Sequence, residues 1–408
     1  MNLLFAWRYF KGKKSAHAIN IISWVTVSVI AFATACQILV LSVFNGFEGL
    51  VKSLYASFYT DIKIIPAKGK TFTLTADQLK LLHQQTEINT ISLIAEDKAL
   101  LKNEDKQTIV YLKGVDANYI NATGVASKIV EGSFNLGTAN DPGLIVGAGI
   151  EDAADISVAG PAGISKITII LPKIKIGVGD PIQSLSEGNA KATGVFIIQQ
   201  EFDSKYAITN IDFVKQQMGF AEDEYSAAEI KLNNKADVKT TQQKLSKLLG
   251  NNYIVQSKYE QNTSLYNTMK LEKWFIYAVL TLILIIAAFN MVSALTMLVL
   301  EKKKDINILQ SMGADKSRIL KIFLSEGLLL GAIGATIGIL LASIICFIQL
   351  KYKLIKLQGG SFLIDYFPVR LQITDFILVV VTAIIIAFVA SWFPAYKAAR
   401  QEFELRGS

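Results

Sequence analysis

Cysteine, histidine and charge are all scarce in this chain. Its two cysteines, Cys36 and Cys346, both fall inside apolar runs, where a disulfide framework has no role, so they read as small apolar residues. The two histidines, His17 and His83, stand far apart without cysteine companions, which excludes a His-based metal site. No metal ligand set and no catalytic residue is expected. Nucleotide motifs are missing as well. Gly12-Lys13-Lys14-Ser15 has the ending of a phosphate loop, but Trp7 occupies the position where the first glycine belongs. Gly147-Ala148-Gly149 fails as a dinucleotide fingerprint because Asp152 stands at the third glycine. No serine sits in a G-x-S-x-G elbow, and Glu222-Asp223-Glu224, with no histidine nearby, reads as a solvated loop.

Only 18% of the 408 residues are charged while 51% are hydrophobic, too apolar a balance for one soluble core. The excess collects in four blocks. The first, Ile19–Phe44, runs 26 residues without a charge, enough to cross roughly 30 Å of hydrocarbon with some tilt. Arg8, Lys11, Lys13 and Lys14 precede it as in a signal peptide, but the run is too long and lacks a cleavage pattern, so it is expected to stay as an anchor. The others begin near Trp274, Ile322 and Phe376. The expected plan is a segment 1–18 that is cytoplasmic and amphipathic, a first span 19–47 with the start of a stalk, a large domain 48–273 and a second span 274–300. A connecting segment 301–321, a third span 322–350, a short outer loop 351–375, a fourth span 376–394 and a tail 395–408 follow.

The net charge of +7 does not form one basic face with interleaved aromatics, so no nucleic acid is expected. The cations crowd the block ends instead. Four crossings put both termini on one side, and Arg8, Lys11, Lys13, Lys14, Lys302, Lys303, Lys304, Lys316, Arg318, Lys321, Lys397, Arg400 and Arg406 make that side the cytoplasm. Lys351, Lys353, Lys356 and Arg370 run against the rule. The large domain then faces outward, into the periplasm of a cell with two membranes.

Within that domain, strand-like runs such as Thr108–Lys113, Ile167–Leu171, Val195–Gln199 and Ala228–Leu232 alternate with helical ones at Ala76–Gln85, Asp212–Met218 and Asp237–Leu249. Glycine, proline and asparagine are dense from Gly132 to Gly194. The fold expected is an α-helical membrane protein with four transmembrane helices plus a large α+β periplasmic domain. In it an α/β subdomain (about 61–114 and 226–270) carries an inserted β-rich subdomain (about 115–225).

Two further patterns carry function. Gly327, Gly331, Gly334 and Gly338 fall on one face of the third span and allow close helix approach. Between spans two and three, Ile306, Leu309 and Met312 lie at helical spacing before Gly313, an amphipathic helix suited either to lipid headgroups or to a docked partner.

The order of parts, with KKKDINILQSMGADKSRILKIFLSEG, resembles the four-span permeases of ABC systems that do mechanical work outside the membrane. FAWRYFKGKKSAHAINIISW, LVLSVFNGFE and SWFPAYKAARQEFELR favour the lipoprotein-releasing (LolC/LolE) branch of the FtsX/MacB-like permeases, and VYLKGVD, GLIVG and GVFIIQQEFD resemble landmarks of its outer domain. The resemblance covers nearly the whole chain. It implies a transmembrane subunit without its own ATPase site and with no cofactor of its own, ATP and Mg being bound by a partner ABC ATPase. It implies pairing with a second permease copy or paralogue, a lipoprotein substrate, a periplasmic lipoprotein carrier and contact with membrane lipid. Lys304, Asp305, Ile306, Leu309, Met312, Gly313 and Ala314 would couple to the ATPase. Val40, Val43, Phe44, Phe47, Phe289 and Val292 would touch the lipoprotein acyl chains, and a carrier-binding hook would fall near Pro172–Leu185. Two other functions share these features: MacB-like export of a drug or peptide with an adaptor, and a non-transport membrane scaffold or sensor.

Overall fold

A computed structural model describes residues 17–158, 163–173, 185–357 and 364–400. The expected segment 1–18, except its last two residues, the end of the tail and most of the hook region therefore lie outside the described residues. The chain divides into two compact units. A helical unit holds the described residues up to Leu50 and from Asn267 onward; a large unit holds Val51–Tyr266.

The chain opens with helix α1, His17–Phe58, whose last turns belong to the large unit. Strands β1 (Ile62–Pro66) and β2 (Phe72–Thr73) precede helix α2 (Ala76–His83), which starts at a capping box. Thr75 accepts from the Gln78 N–H while Gln78 reaches back to the Thr75 N–H. The hairpin β3 (Ile88–Asn103) and β4 (Lys106–Val115) follows, then β5 (Ile129–Gly132) and β6 (Gly143–Gly147). Helix α3 (Ala148–Ala154), β7 (Lys166–Pro172), β8 (Leu185–Phe196) and β9 (Tyr206–Asn210) come next. Helix α4 (Ile211–Met218) is capped by Asn210 at its start and by left-handed Gly219 at its end. The domain closes with β10 (Glu224–Tyr225), β11 (Ala227–Leu232), helix α5 (Val238–Leu249) and β12 (Tyr253–Ser257).

Six strands close on themselves. β3 pairs with β4, β4 with β9, β9 with β6, β6 with β8, β8 with β7, and β7 back to β3. Closure removes free strand edges. Side-chain alternation then sorts the apolar residues into two cores. Leu101, Val110, Leu112, Leu144, Val146 and Ala207 join one core with Phe213 and Val214 of α4. Their neighbours Ile94, Val115, Ile145 and Ile208 join another with Tyr55 and Phe58 from the end of α1. A third core lies where β1, β11, β12 and the first half of β3 meet α2 and α5, around Ile62, Ile91, Leu82, Ile230 and Leu245.

The mixed α/β class is as expected, but the cores do not part near residue 115. The single sixteen-residue strand β3 serves both, pairing with β11 through Ile94 and with β4 and β7 beyond it. Of this long strand the sequence pattern marks only Leu100 and Leu101, because charged Glu96, Asp97 and Lys98 interrupt the apolar run before them. β8 likewise starts ten residues before the expected Val195 and ends at Phe196, its outer half polar.

The helical unit contains helix α6 (Thr263–Glu301), α7 (Lys303–Ser311), α8 (Lys316–Tyr352) and α9 (Ile373–Ala399) besides most of α1. Helices α1, α6, α8 and α9 are each long and apolar enough to cross a membrane. Gly313, at a φ of +91°, turns the chain between α7 and α8, where only glycine is unstrained, and Asp315 then caps α8 through the Arg318 N–H.

Candidate functional site

The features able to carry function in the helical unit are its packing seam, its polar clasp and helix α7. In the seam, the four glycines of α8 do not face one partner. A Cβ at Gly327 would collide with Ser391, and one at Gly331 would lie 2.5 Å from the Ala387 Cβ, so these two bring α9 close. Gly334 and Gly338 do the same for α1, where Ile30, Ala31 and Thr34 take up the space. Gly327 also meets Met291 and Leu295 of α6, so one glycine face seats three helices.

At the end of the bundle where α1 leaves and α6 enters, three helices share polar groups. Lys273 of α6 lies 3.0 Å from Asp375 of α9 and donates to the Asn45 side-chain oxygen of α1 at 2.9 Å, while the Asn45 amide donates to Asp375. Arg370 donates its backbone N–H to the Ser42 carbonyl. Asn45 and Asp375 are buried, so their mutual satisfaction is what permits them there. Sequence reasoning missed this clasp. Its signal was opposite charges immediately ahead of two apolar runs. Glu326 was missed too: it is a carboxylate inside α8, 4% exposed, and its Oε2 has no hydrogen-bond partner among the described residues. A lone acid in an apolar run was the signal, since ionisable groups within spans are costly and tend to be functional.

Helix α7 lies between spans two and three. Its Ile306 is 1% exposed and packs among Leu298, Ile319, Phe323, Ala395 and Ala398. Of the residues expected to couple to a partner, Ile306 therefore holds the helix to the spans and offers no surface. An i, i+3 ion pair joins Asp305 to Lys302. Leu309 is half-buried and accepts the Ala314 N–H, which closes the turn at Gly313. Lys304 and Met312 face outward, Met312 at 79% exposure, and beside it stands Ile308 at 59%, which the spacing argument passed over. One helix thus shows a basic and apolar outer face on a buried anchor.

Within this one chain, the residues expected to touch acyl chains do not all line the same groove. Phe289 and Val292 line an apolar groove of about 440 Å³ between α6 and α9, with Ile285, Ile385, Val389 and Phe393. On α1, Val40 is exposed, Val43 and Phe44 are half-buried, and Phe47 packs edge-on against Phe367.

In the large unit a lysine–glutamate pair is buried beside the end of α1. Lys113 donates to Glu229 at 2.7 Å, both almost fully buried, and its ammonium lies 4.9 Å from the ring centres of both Phe58 and Tyr119. Burial raises the Tyr119 phenol well above its usual range. Tyr55 bonds to Glu201, and its phenol also rises, through burial first and that acid second. These contacts fix the last turns of α1 onto the strands. A cleft of about 780 Å³ elsewhere in the unit is lined by Leu93, Asp116, Asp212, Lys215, Phe220 and Tyr225, among others.

A family model described as the MacB-like periplasmic core domain matches residues 23–248, and one described as the FtsX-like permease C-terminal matches residues 277–403. The chain is similar to the lipoprotein-releasing system transmembrane protein LolE of Haemophilus influenzae, 27% identical over 97% of this chain and 96% of that one. It is similar to the LolC protein of the same description from Neisseria meningitidis serogroup B, 25% identical over 98% and 97%. Among solved structures, the periplasmic region of MacB from Actinobacillus actinomycetemcomitans aligns with a TM-score of 0.37 at 12% identity, over 52% of this chain and 95% of that one.

Proposed function

The chain belongs to the family built on the MacB-like periplasmic core domain and continues into an FtsX-like permease region, and we propose that it is the permease subunit of an ATP-driven system that extracts lipoproteins from the inner membrane. A periplasmic carrier would take them onward to the outer membrane. The observation that carries the reading is the match, over nearly the full length of both chains, to two proteins described as lipoprotein-releasing transmembrane proteins. In this reading both termini are cytoplasmic and the large domain is periplasmic. The chain hydrolyses nothing itself: ATP and Mg belong to a partner ABC ATPase, and a second permease copy or paralogue completes the channel.

Helix α7 is suited to receive the ATPase. Lys304, Ile308 and Met312 would enter the partner's groove, while Ile306 passes the displacement to α8 and α9 through the core it shares with them. Asp315 caps α8 directly after the Gly313 turn, so α8 begins at once where α7 ends. The motion would reach the large domain through the spans and the ends of α1 and α6. The work to be done is withdrawal of acyl chains at about 0.8 kcal/mol per methylene, against an apolar wall that Phe289 and Val292 could supply.

Affinity purification from native membranes in mild detergent tests the reading. An ATPase should co-purify with the wild-type chain. It should be lost with combined Asp305→Lys and Ile306→Pro, which breaks the helix, and with Ile308→Glu plus Met312→Glu, which alters only its outer face. Absence of any ATPase would favour a scaffold or sensor. Depletion of the chain should leave lipoproteins in the inner membrane; normal release after depletion would overturn the proposal.

A further inference from the structure

The end of α8 carries a group of cations that the sequence places on the unexpected side of the bilayer. Lys351, Lys353 and Lys356 lie in six successive residues, Lys351–Lys356, all of them exposed. The apolar members of the same stretch, Tyr352, Leu354 and Ile355, are exposed by 57–67%. Arg370 is exposed as well. The acids among the described residues 349–375 are Asp365 and Asp375, and Asp375 is already taken by Lys273. The stretch is therefore strongly basic and apolar at once.

It is also a built structure. Lys356 bridges Tyr366, Leu357 donates its N–H to the Asp365 carbonyl, and Phe367 donates to the Ile355 carbonyl. Gln349, 5% exposed, clamps this hairpin from below. Its amide donates to the Ile355 and Phe367 carbonyls at 3.1 and 3.2 Å, and its oxygen accepts the Ile355 N–H at 2.9 Å. Tyrosine rings lie under two of the cations, Tyr366 4.1 Å from Lys353 and Tyr352 5.5 Å from Lys351. Lys353 ends α8 in the left-handed conformation, at a φ of +50°. Glycine adopts that conformation freely and lysine does so at a cost, so a lysine kept there points to a use for its side chain.

The hairpin sits at the end of the bundle marked by the Asn45–Lys273–Asp375 clasp, since Pro368 abuts Gly46 and Arg370 binds the Ser42 carbonyl. Exposed Trp274 and Phe275 open the apolar run of α6 at the same end, as an interfacial aromatic belt would. Lysines interleaved with aliphatic side chains at the edge of a hydrocarbon layer match one partner: a lipid surface with anionic phosphate headgroups, with Leu354 and Ile355 entering the acyl boundary and the ammonium groups meeting the phosphates. We propose that the Lys351–Lys356 hairpin is an anionic-phospholipid binding surface that anchors this end of the bundle to its leaflet. The inference needs only the membrane reading and stands whether or not the cargo is a lipoprotein.

The test uses the full chain in phosphatidylcholine nanodiscs containing a minority of phosphatidylglycerol that carries a photoactivatable headgroup, with crosslinked peptides mapped by mass spectrometry. Mapping separates this hairpin from the many cations at the other end of the bundle. The wild type should crosslink at Lys351–Lys356, more with phosphatidylglycerol than with an equally tagged phosphatidylcholine, and less at high salt. Replacing Lys351, Lys353 and Lys356 together by glutamine should lower the yield by roughly fivefold for each lysine lost, while replacement by arginine should preserve it. Unchanged yield in the glutamine variant, or equal yield from the two lipids on the wild type, would overturn the proposal. So would preferential crosslinking of a soluble acidic peptide, which would make the surface a protein-docking site. The comparison of lipids on the wild type and the arginine variant decide the matter if the glutamine variant does not fold.

Discussion

The two units are packed by residues of opposite size. In the large unit, bulky side chains such as Leu101, Leu112, Leu144 and Phe213 fill the interior of the closed strands. In the helical unit the closest approaches are made by Gly327, Gly331, Gly334 and Gly338, which leave room for Ser391, Ala387, Ile30 and the Ala31 carbonyl of the neighbouring helices, while Leu340, Phe347 and Phe289 are left exposed. The difference follows from the solvent. Water rewards burial of a leucine, whereas lipid is already as apolar as leucine and leaves close packing and polar contacts as the forces between helices. Each unit also holds a lysine–carboxylate pair, but under different terms: Lys113 and Glu229 are both buried, whereas Lys273 is only half-buried beside buried Asp375. Lys113 and Glu229 are enclosed among strands and aromatic rings, while Lys273 and Asp375 share their charges with Asn45 at the end of the bundle.

Breaking one partner of each pair should separate the units most. Lys113→Met leaves buried Glu229 with only the half-buried Lys63, 3.8 Å away, and should cost about 3 kcal/mol. The large unit should then unfold first when the full chain is followed by denaturant-dependent proteolysis. Adding Glu229→Leu should restore most of the loss, because removing both charges also removes the desolvation cost. Lys273→Met should do less damage, since Asp375 retains the Asn45 amide. Equal losses for the two lysines would show that the enclosure of the first pair does not matter.

The packing contrast predicts a crossed result of the next size. Leu112→Ala should destabilise the large unit by about 2–5 kcal/mol, through lost burial and a cavity. Leu340→Ala on α8 should change little, because that side chain is 57% exposed. Enlargement reverses the order: Gly331→Ala places a methyl 2.5 Å from the Ala387 Cβ and should cost about 1–3 kcal/mol, seen as a lower melting temperature in detergent. A harmful Leu340→Ala would mean that this face of α8 is covered by protein.

Much of this contrast was legible in the sequence. Uninterrupted apolar runs locate the spans because length and absence of charge are properties of a single segment, and the glycine row is a periodicity. What stayed hidden depends on residues distant in sequence. Closure of six strands requires Leu100 of β3 to meet Ile170 of β7 and Ile145 of β6 to meet Ile208 of β9, which no local pattern encodes. The clasp joins residues 45, 273 and 375 for the same reason. For α7 the period was readable but its phase was not. Ile306, Leu309 and Met312 read as one apolar face, and only the packing shows that Ile306 turns inward while Met312 and Ile308 turn out.

The smallest expected effect is a titration confined to the large unit. Partial burial, and next the hydrogen-bonded Glu131 beside it, push the Glu151 carboxyl from its ordinary 4.5 up to about 7. A carboxyl with a raised folded pKa binds its proton more tightly folded than unfolded, so the folded state is favoured at low pH. That advantage fades as the pH climbs from about 4.5 to 7 and is gone above it. Glu151→Gln, a permanent stand-in for the protonated form, should flatten this decline and raise the melting temperature of the full chain above pH 7. Asp61 does not blur the window. Its burial pushes upward, but the Leu232 N–H together with Lys258 and Lys231 holds it below its ordinary 3.8, so its stabilisation is lost only as the pH falls below that value. The change at Glu151 should be modest because its carboxyl is partly exposed to solvent. A Glu151→Gln curve that declines between pH 4.5 and 7 just as the wild type does would mean that Glu151 does not set this decline.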